Sequence, residues 1–346
     1  MQFNRAMLTL ARESRGLTMS ELADRSGVAV STVSKIESGQ REPSPEMVVS
    51  LSGALGYPED FFRWQDQVYG FGSSSFYHRK QQSLPQKALR KIQAVVNLQR
   101  MRARRLGSGL DLDFPLSVPE MPVDKYGSAE EVSRALRATW RIPFGPINNL
   151  IEWLEAAGCI VVFYDFGTHK ISAISVWAPG DSPVFVVNST MPPCRQRFSM
   201  AHELGHLVMH NEPEPAMEDE ADRFAAELLM PASEMRHQLR NFNLALAARL
   251  KPVWRVSMSA LIKRAWDLDV ITERQRTSLQ VQMSQKGWGK SEPIQIPAEQ
   301  PTLLAEMIRI HRQDLEYNPR DLAALLGMQS DEWSQEYDPR RLRPVG

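Results

Sequence analysis

Residues 195–210 read RQRFSMAHELGHLVMH, and residues 217–231 read MEDEADRFAAELLMP. Both stretches have helical character. Phe198, Leu204, Leu207 and Val208 give the first an apolar face, and Pro231 stops the second. At 3.6 residues per turn, His202 and His206 project from one face and can clamp a single Zn²⁺ through their ring nitrogens. Glu203 stands beside them, placed to hold a water and accept its proton rather than to ligate. With seven histidines in 346 residues, a chance HExxH has odds of roughly one in a hundred. The competing reading is two histidines on an ordinary buried helix.

A catalytic zinc needs a third protein ligand and an open position. His210 shares the face but lies about 12 Å from His202 by helical rise, too far to share the metal. It reads as a pocket or structural histidine. The metzincin pattern needs Gly and His where Met209 and Glu212 stand, so that class is excluded. Glu218 and Asp222 are four apart on one face of the second helix. That pairing suits a ligating carboxylate and an acid that steadies a histidine. Glu220 ranks behind them as a ligand. Oxyanion donors, with His210, His237 and Tyr164 as candidates, cannot be located in one dimension.

Helical patterns precede this region at Glu130–Trp140 and Ile147–Ala157. Three short β-branched runs, Cys159–Tyr164, Ile171–Trp177 and Val184–Asn188, predict a small antiparallel sheet. Downstream, Leu303–Ile310 and Leu322–Leu326 are the clearest helical pieces.

Residues 1–65 read as a compact helical unit. Thr18 and Glu21 form a capping-box pattern, Gly27 lies in a tight turn, and a helix rich in small polar residues runs from Ser31 to Glu37. Ser44-Pro45 opens another helix. Short side chains near a helix N-terminus let the backbone approach base edges in the major groove, and Ser31, Thr32, Ser34 and Lys35 supply them. The unit has seven Lys/Arg against eight Asp/Glu, which weakens the electrostatic case for DNA. From Arg79 to Arg105 there are nine basic residues and no acidic one, on a helical period followed by a Gly/Pro-rich connector. That helix is expected to supply the missing phosphate contacts.

Over the whole chain 41 Lys/Arg balance 41 Asp/Glu, so net charge indicates no partner. Cys159 and Cys194 are too few for a disulfide framework or a four-cysteine zinc site and fit a reducing cytoplasm. No apolar run reaches the length of a membrane span, so no membrane partner is expected. Cys194 reads first as a structural cysteine and second as a redox or metal-capping thiol.

The pattern of Met19–Ala23, Gly27–Gly39 and Pro43–Pro45 resembles the phage-repressor-like, Xre-type helix-turn-helix family over roughly residues 5–62. The resemblance implies a dimer on a two-fold operator in duplex DNA. Ser31, Thr32 and Lys35 would read base edges, and Thr18, Ser20 and Arg41 would contact phosphates. The stretches around His202 and Glu218 resemble the ImmA/IrrE family of zinc metallopeptidases from about residue 130 to 240. That implies a thermolysin-like zinc core, with His202, His206 and Glu218 as metal ligands and Glu203 as general base. It also implies helix-turn-helix repressors as substrates. Where family members often have Asn, this chain has Asp222, nearer the thermolysin pattern. Parts of the tail, Lys251–Ile262 and Gly287–Pro293, resemble longer, repressor-fused members.

The expected fold is therefore α+β and mostly α. It comprises a helix-turn-helix domain (1–65), a basic helical connector (66–124), a zincin-like peptidase domain with a small antiparallel sheet (125–240), and a helical C-terminal region for dimerisation or sensing (241–346). The expected function is a cytoplasmic transcriptional regulator, active as a homodimer, that cleaves itself or a separate repressor in response to a signal such as stress. The connector, at Tyr69–Ser75 or Gly107–Pro122, is the expected scissile region. The alternative is a transcription factor whose zinc domain senses metal or ligand without proteolysis.

Overall fold

The computed structural model describes residues 3–70, 84–210, 214–289 and 291–337. Arg79, Lys80, Glu212 and most of the 69–75 segment lie outside the described residues.

The N-terminal unit contains α1 (Arg5–Ser14), α2 (Met19–Ser26), α3 (Val30–Glu37), α4 (Pro45–Leu55) and a 3₁₀ turn (Glu59–Arg63). Its caps are local and follow the sequence. The Thr18 hydroxyl accepts from Glu21 N at 3.1 Å, Thr18 N donates to the Glu21 carboxylate at 2.6 Å, and Gly27 ends α2 at φ 71°. Met7, Leu8, Leu22, Val33, Ile36 and Leu51 close its core. Arg12 crosses that core to Glu37 at 2.7 Å, tying α1 to α3.

The next helix is α5 (Gln86–Gly107). It belongs to two cores at once. Ala94, Leu98 and Met101 pack into the N-terminal unit, while Ile92, Val96, Ala103 and Leu106 pack under the sheet. The expectation of a phosphate-binding helix fails at Arg100, Arg102 and Arg105 in its second half, while Arg104 stays exposed. Arg100 is buried on Asp181 (2.5 Å) and the Gln67 carbonyl (2.6 Å), and Arg102 is buried and donates to the Leu326 carbonyl. Arg105 pairs with Asp66 at 2.6 Å and lies over the Trp64 ring. These cations hold domains together, and the acidic partners they need lie outside the run that carries them.

Beyond α5 come α6 (Val123–Tyr126), α7 (Ala129–Thr139), α8 (Leu150–Ala156), β1 (Ile160–Tyr164), β2 (Ala173–Val176) and β3 (Val184–Asn188). The sheet is mixed rather than antiparallel, with order β1-β3-β2: β1 runs parallel to β3 and β2 antiparallel to it. The fully buried β3 takes the centre, which suits its unbroken apolar run. β2, half-buried at Ser175 and Val176, takes the edge. Val161, Phe185 and Val187 face one core, and Ile160, Val162, Val184 and Val186 face the other.

The first face is covered by α8 and α9 (Pro193–Met209), with α10 (Met217–Leu229) packed on α9 and α7, and is backed by α11 (Ala232–Gln238), α12 (Leu244–Trp254), α13 (Met258–Asp267) and α14 (Glu273–Gln285). The second is covered by α5 and by α15 (Leu303–Gln313), α16 (Pro319–Leu325) and α17 (Ser330–Glu336). The tail is thus a structural cover for the sheet. It also grips the N-terminal unit: Arg15 makes a two-pronged pair with Glu332 at 2.7 and 2.8 Å. No helix among the described residues is long and apolar enough to cross a membrane.

The connector Gly107–Pro122 is not loose backbone. Leu116 N donates to the Ala156 carbonyl at 3.0 Å, Trp140 donates to Ser117 at 2.9 Å, and Met121 N donates to Val208 of α9 at 2.7 Å.

Burial pushes the Glu332 carboxyl up, but the hydrogen bond and charge of Arg15 outweigh it and hold the group below its ordinary range. Its stabilising contribution is therefore complete above the ordinary carboxylate range and is lost as pH falls through the lowered folded-state value. Glu332→Gln should cost about 1 kcal/mol at neutral pH. It should also shrink the drop in melting temperature between neutral and acid pH, which thermal unfolding at the two conditions will measure.

Candidate metal centre

The site is built on α9, which enters the interior from Pro193 and brings polar groups with it. Each of them has a partner. Gln196 donates to the Asn188 carbonyl at 3.0 Å, and buried Arg197 pairs with Glu299, whose other oxygen accepts from Leu150 N and Ile151 N at the start of α8. Glu203 accepts at Oε2 from both Ser175 N (2.8 Å) and Ser175 Oγ (2.7 Å). That backbone N–H points off the free edge of β2, so the edge of the sheet is aimed at Glu203.

His202 Nε2 and His206 Nε2 converge to 3.0 Å. The Glu218 carboxylate on α10 approaches them at 3.8 and 3.5 Å. One ligand atom from each of the three lies within 4.8 Å of the others. Two imidazoles and a carboxylate on a compact centre form a donor set suited to zinc.

The outer nitrogens are also engaged. His202 Nδ1 is 2.8 Å from Asp222 Oδ1. His206 Nδ1 is 3.0 Å from His210 Nδ1, and His210 Nε2 is 3.1 Å from Glu220 Oε2. Burial disfavours a charged His202, but the Asp222 hydrogen bond and the charges of Glu203, Asp222 and Glu218 outweigh it and raise the ring above the usual histidine range. Burial and the neighbouring His206 push His210 below that range, against the pull of Glu220. Committed at both nitrogens, His210 is not placed to serve as an oxyanion donor. His237 is exposed on α11, and Tyr164 is half-buried at the end of β1. Cys194 is buried in the first turn of α9, and burial pushes its thiol up, which opposes a redox or metal-capping thiolate.

Gly205 explains how α10 comes near enough to contribute Glu218. A Cβ there would meet the Phe224 ring at 2.9 and 3.2 Å and the Ala221 backbone at 3.4 Å. Sequence reasoning missed Ser175 and the His210–Glu220 contact, because both depend on pairing between distant elements.

In the N-terminal unit Thr18, Ser20, Ser31, Ser34, Lys35 and Arg41 are exposed and Thr32 is half-buried. Among the described residues, the body of the protein leaves this face open. Thr18 Oγ accepts from Glu21 N in its cap, and its hydroxyl also lies on the Glu21 carboxylate.

Two family models match the chain. One, described as helix-turn-helix, covers residues 8–62, and the other, described as the IrrE N-terminal-like domain of a peptidase family, covers residues 154–265. No curated protein matches the chain. The chain joins an Xre-type helix-turn-helix domain to an ImmA/IrrE-like metallopeptidase domain.

Gly205→Ala should separate α9 from α10. The overpacking cost of about 1–3 kcal/mol exceeds the helix-propensity gain of about 1 kcal/mol. A lower melting temperature and reduced zinc uptake are expected in calorimetry and elemental analysis, and full uptake at wild-type stability would refute the packing argument.

Proposed function

We propose that this DNA-binding regulator is a zinc-dependent endopeptidase that cuts a helix-turn-helix repressor, its own chain or a separate one, when a signal such as stress is received. The observation that carries the reading is Glu203. A metal site with only a structural task has no use for a carboxylate beside it, yet Glu203 is held there by two donors from the edge strand. His202, His206 and Glu218 would hold the zinc, with Asp222 orienting His202. When bound, zinc supplies Lewis-acid polarisation of a water and of the scissile carbonyl.

The chain's own residues do the rest. Edge strand β2 lies beside α9, and its outward backbone groups other than the Ser175 N–H, which Glu203 occupies, would pair with an extended peptide there. Ser175 holds Glu203 through Oε2, leaving Oε1 to accept a proton from water and pass it to the leaving amine. The packing of Gly107–Pro122 on α8 and α9 argues against a cut there. Cleavage inside the DNA-binding half of a repressor, in cis or in trans, fits better.

The test is mass spectrometry of zinc-loaded wild type and Glu203→Gln, in induced cells and with candidate repressors added. An N-terminal fragment smaller than about 7 kDa, at about 110 Da per residue for a unit of this size, should appear only with the wild type. An intact chain and intact repressors under every inducing condition would establish the non-cutting sensor instead.

For DNA we propose a homodimer reading its operator through Ser31, Thr32, Ser34 and Lys35, with Thr18, Ser20 and Arg41 on phosphates. The start of α5 supplies further cations at the edge of this face. Lys87 meets Glu21 at 2.9 Å, Lys91 packs over Gly16, and Arg90 lines a cavity of about 340 Å³ with Thr18 and Met19. Replacing Arg90 and Lys91 by Gln should flatten the dependence of log K on log salt by about 0.9 per lost phosphate contact without changing the preferred sequence. Lys35→Ala should instead relax sequence preference, by about 1–3 kcal/mol at one base pair. Binding titrations over a salt series separate the two effects.

A further inference from the structure

The two histidines proposed as zinc ligands are supported by unlike partners. His202 leans directly on a carboxylate, Asp222, at 2.8 Å. His206 leans on another histidine: the two Nδ1 atoms are 3.0 Å apart, and the line continues from His210 Nε2 to Glu220 Oε2 at 3.1 Å. The His210 side chain is 5% exposed and that of Glu220 18%, so solvent is a poor substitute for either contact.

Proton counting leaves one consistent arrangement. A neutral imidazole has a single N–H, and a nitrogen that binds metal cannot carry it. With His206 Nε2 given to a metal, its proton sits on Nδ1 and must be donated. The acceptor at 3.0 Å is His210 Nδ1, which must then be bare. The proton of His210 therefore sits on Nε2, where Glu220 accepts it. The opposite tautomer of His210 would present a donor to His206 Nδ1. His206 would then have to carry its own proton on Nε2, the nitrogen the metal needs.

We propose that Glu220, acting through His210, is a positioning residue that fixes His206 in the tautomer whose Nε2 is open to metal. This rests on reading the site as a zinc site. It also gives a task to His210, which spacing excluded only as a ligand. Four residues from His206, it is too distant to ligate but lies one turn on, its ring tilted against that of His206 with centroids 5.2 Å apart, and carries the influence of α10 back to the ligand. The centre then has three attachments to α10: Glu218 among the ligands, Asp222 behind His202, and Glu220 behind His206.

The experiment is zinc affinity of the full chain by competition with a chromogenic chelator, with circular dichroism of the metal-free proteins as the folding control. Glu220→Ala should weaken zinc about tenfold or more, and Glu220→Gln, which keeps an acceptor without the charge, should lose less. The double variant His210→Phe/Glu220→Ala should bind no more weakly than His210→Phe alone, because one path is cut once. Asp222→Asn combined with Glu220→Ala should instead multiply the two losses. Should His210→Phe fail to fold, long-range ¹H–¹⁵N spectra of zinc-loaded wild type decide the matter. The proton of His210 is expected on Nε2 and that of His206 on Nδ1. Unchanged affinity in a folded Glu220→Ala, or the His210 proton on Nδ1, would overturn the proposal. Wild type that takes up no zinc would overturn the underlying reading of the site.

Discussion

Burying a helix that carries two histidines, a glutamate and an arginine is the constraint around which the rest of the body is arranged. Each such group, left without a partner in the interior, would cost on the order of 1–3 kcal/mol, more where it is charged. The partners come from every direction. Edge strand β2 supplies Ser175 to Glu203, the end of β3 supplies the Asn188 carbonyl to Gln196, and the segment before α15 supplies Glu299 to Arg197. Helix α10 supplies the acids behind both histidines. Gly205 follows from the same requirement, since α10 can answer for α9 only from a distance that a side chain would prevent. The geometry of the centre is thus a by-product of satisfying α9, which is also what makes a site rigid enough for chemistry.

A second dependence runs through α5. Its two apolar faces lie in different cores, so the DNA-reading unit and the sheet share one rigid element instead of a tether. Arg100, Arg102 and Arg105 on that helix, and Arg15 at the C-cap of α1, add bonds that cross the same boundary. An arrangement of this kind couples the two ends mechanically. A displacement of the sheet that shifted α5 would be felt at the packing of α1.

What the sequence made legible was local. The Thr18–Glu21 cap, the Gly27 turn, the cap at Ser44 and both helices of the centre depend on residues within one or two turns of each other, and they stand where the pattern put them. The face shared by His202 and His206 is a matter of helical arithmetic. Illegible features depended on pairings across the chain. Nothing in Cys159–Tyr164 or Val184–Asn188 states that β3 inserts between β1 and β2, which made an expected antiparallel sheet mixed. Arg100 and Arg105 of the basic run read as surface because their acidic partners, Asp181 and Asp66, lie outside it. The tail gave no role by composition because its role is to cover a sheet formed elsewhere.

Shared cores also change what a proteolytic switch must accomplish. If backbone were cut between the DNA-reading unit and α5, the released piece would still be seated on Ala94, Leu98 and Met101 and still paired through Arg15 to Glu332. Burying three such side chains is worth several kcal/mol at about 25 cal/mol per Å². A nicked protein would therefore hold its fragment with an effective concentration far above that of free chains. Loss of DNA binding would then follow from lost dimer geometry or from unfolding of the cut unit, not from diffusion of an independent domain. A cut within the small core of Met7, Leu22, Val33 and Leu51 would act differently. The Arg12–Glu37 pair and the α1–α4 packing that position the reading helix all lie within that unit, so a break in its chain would act on the reading helix directly.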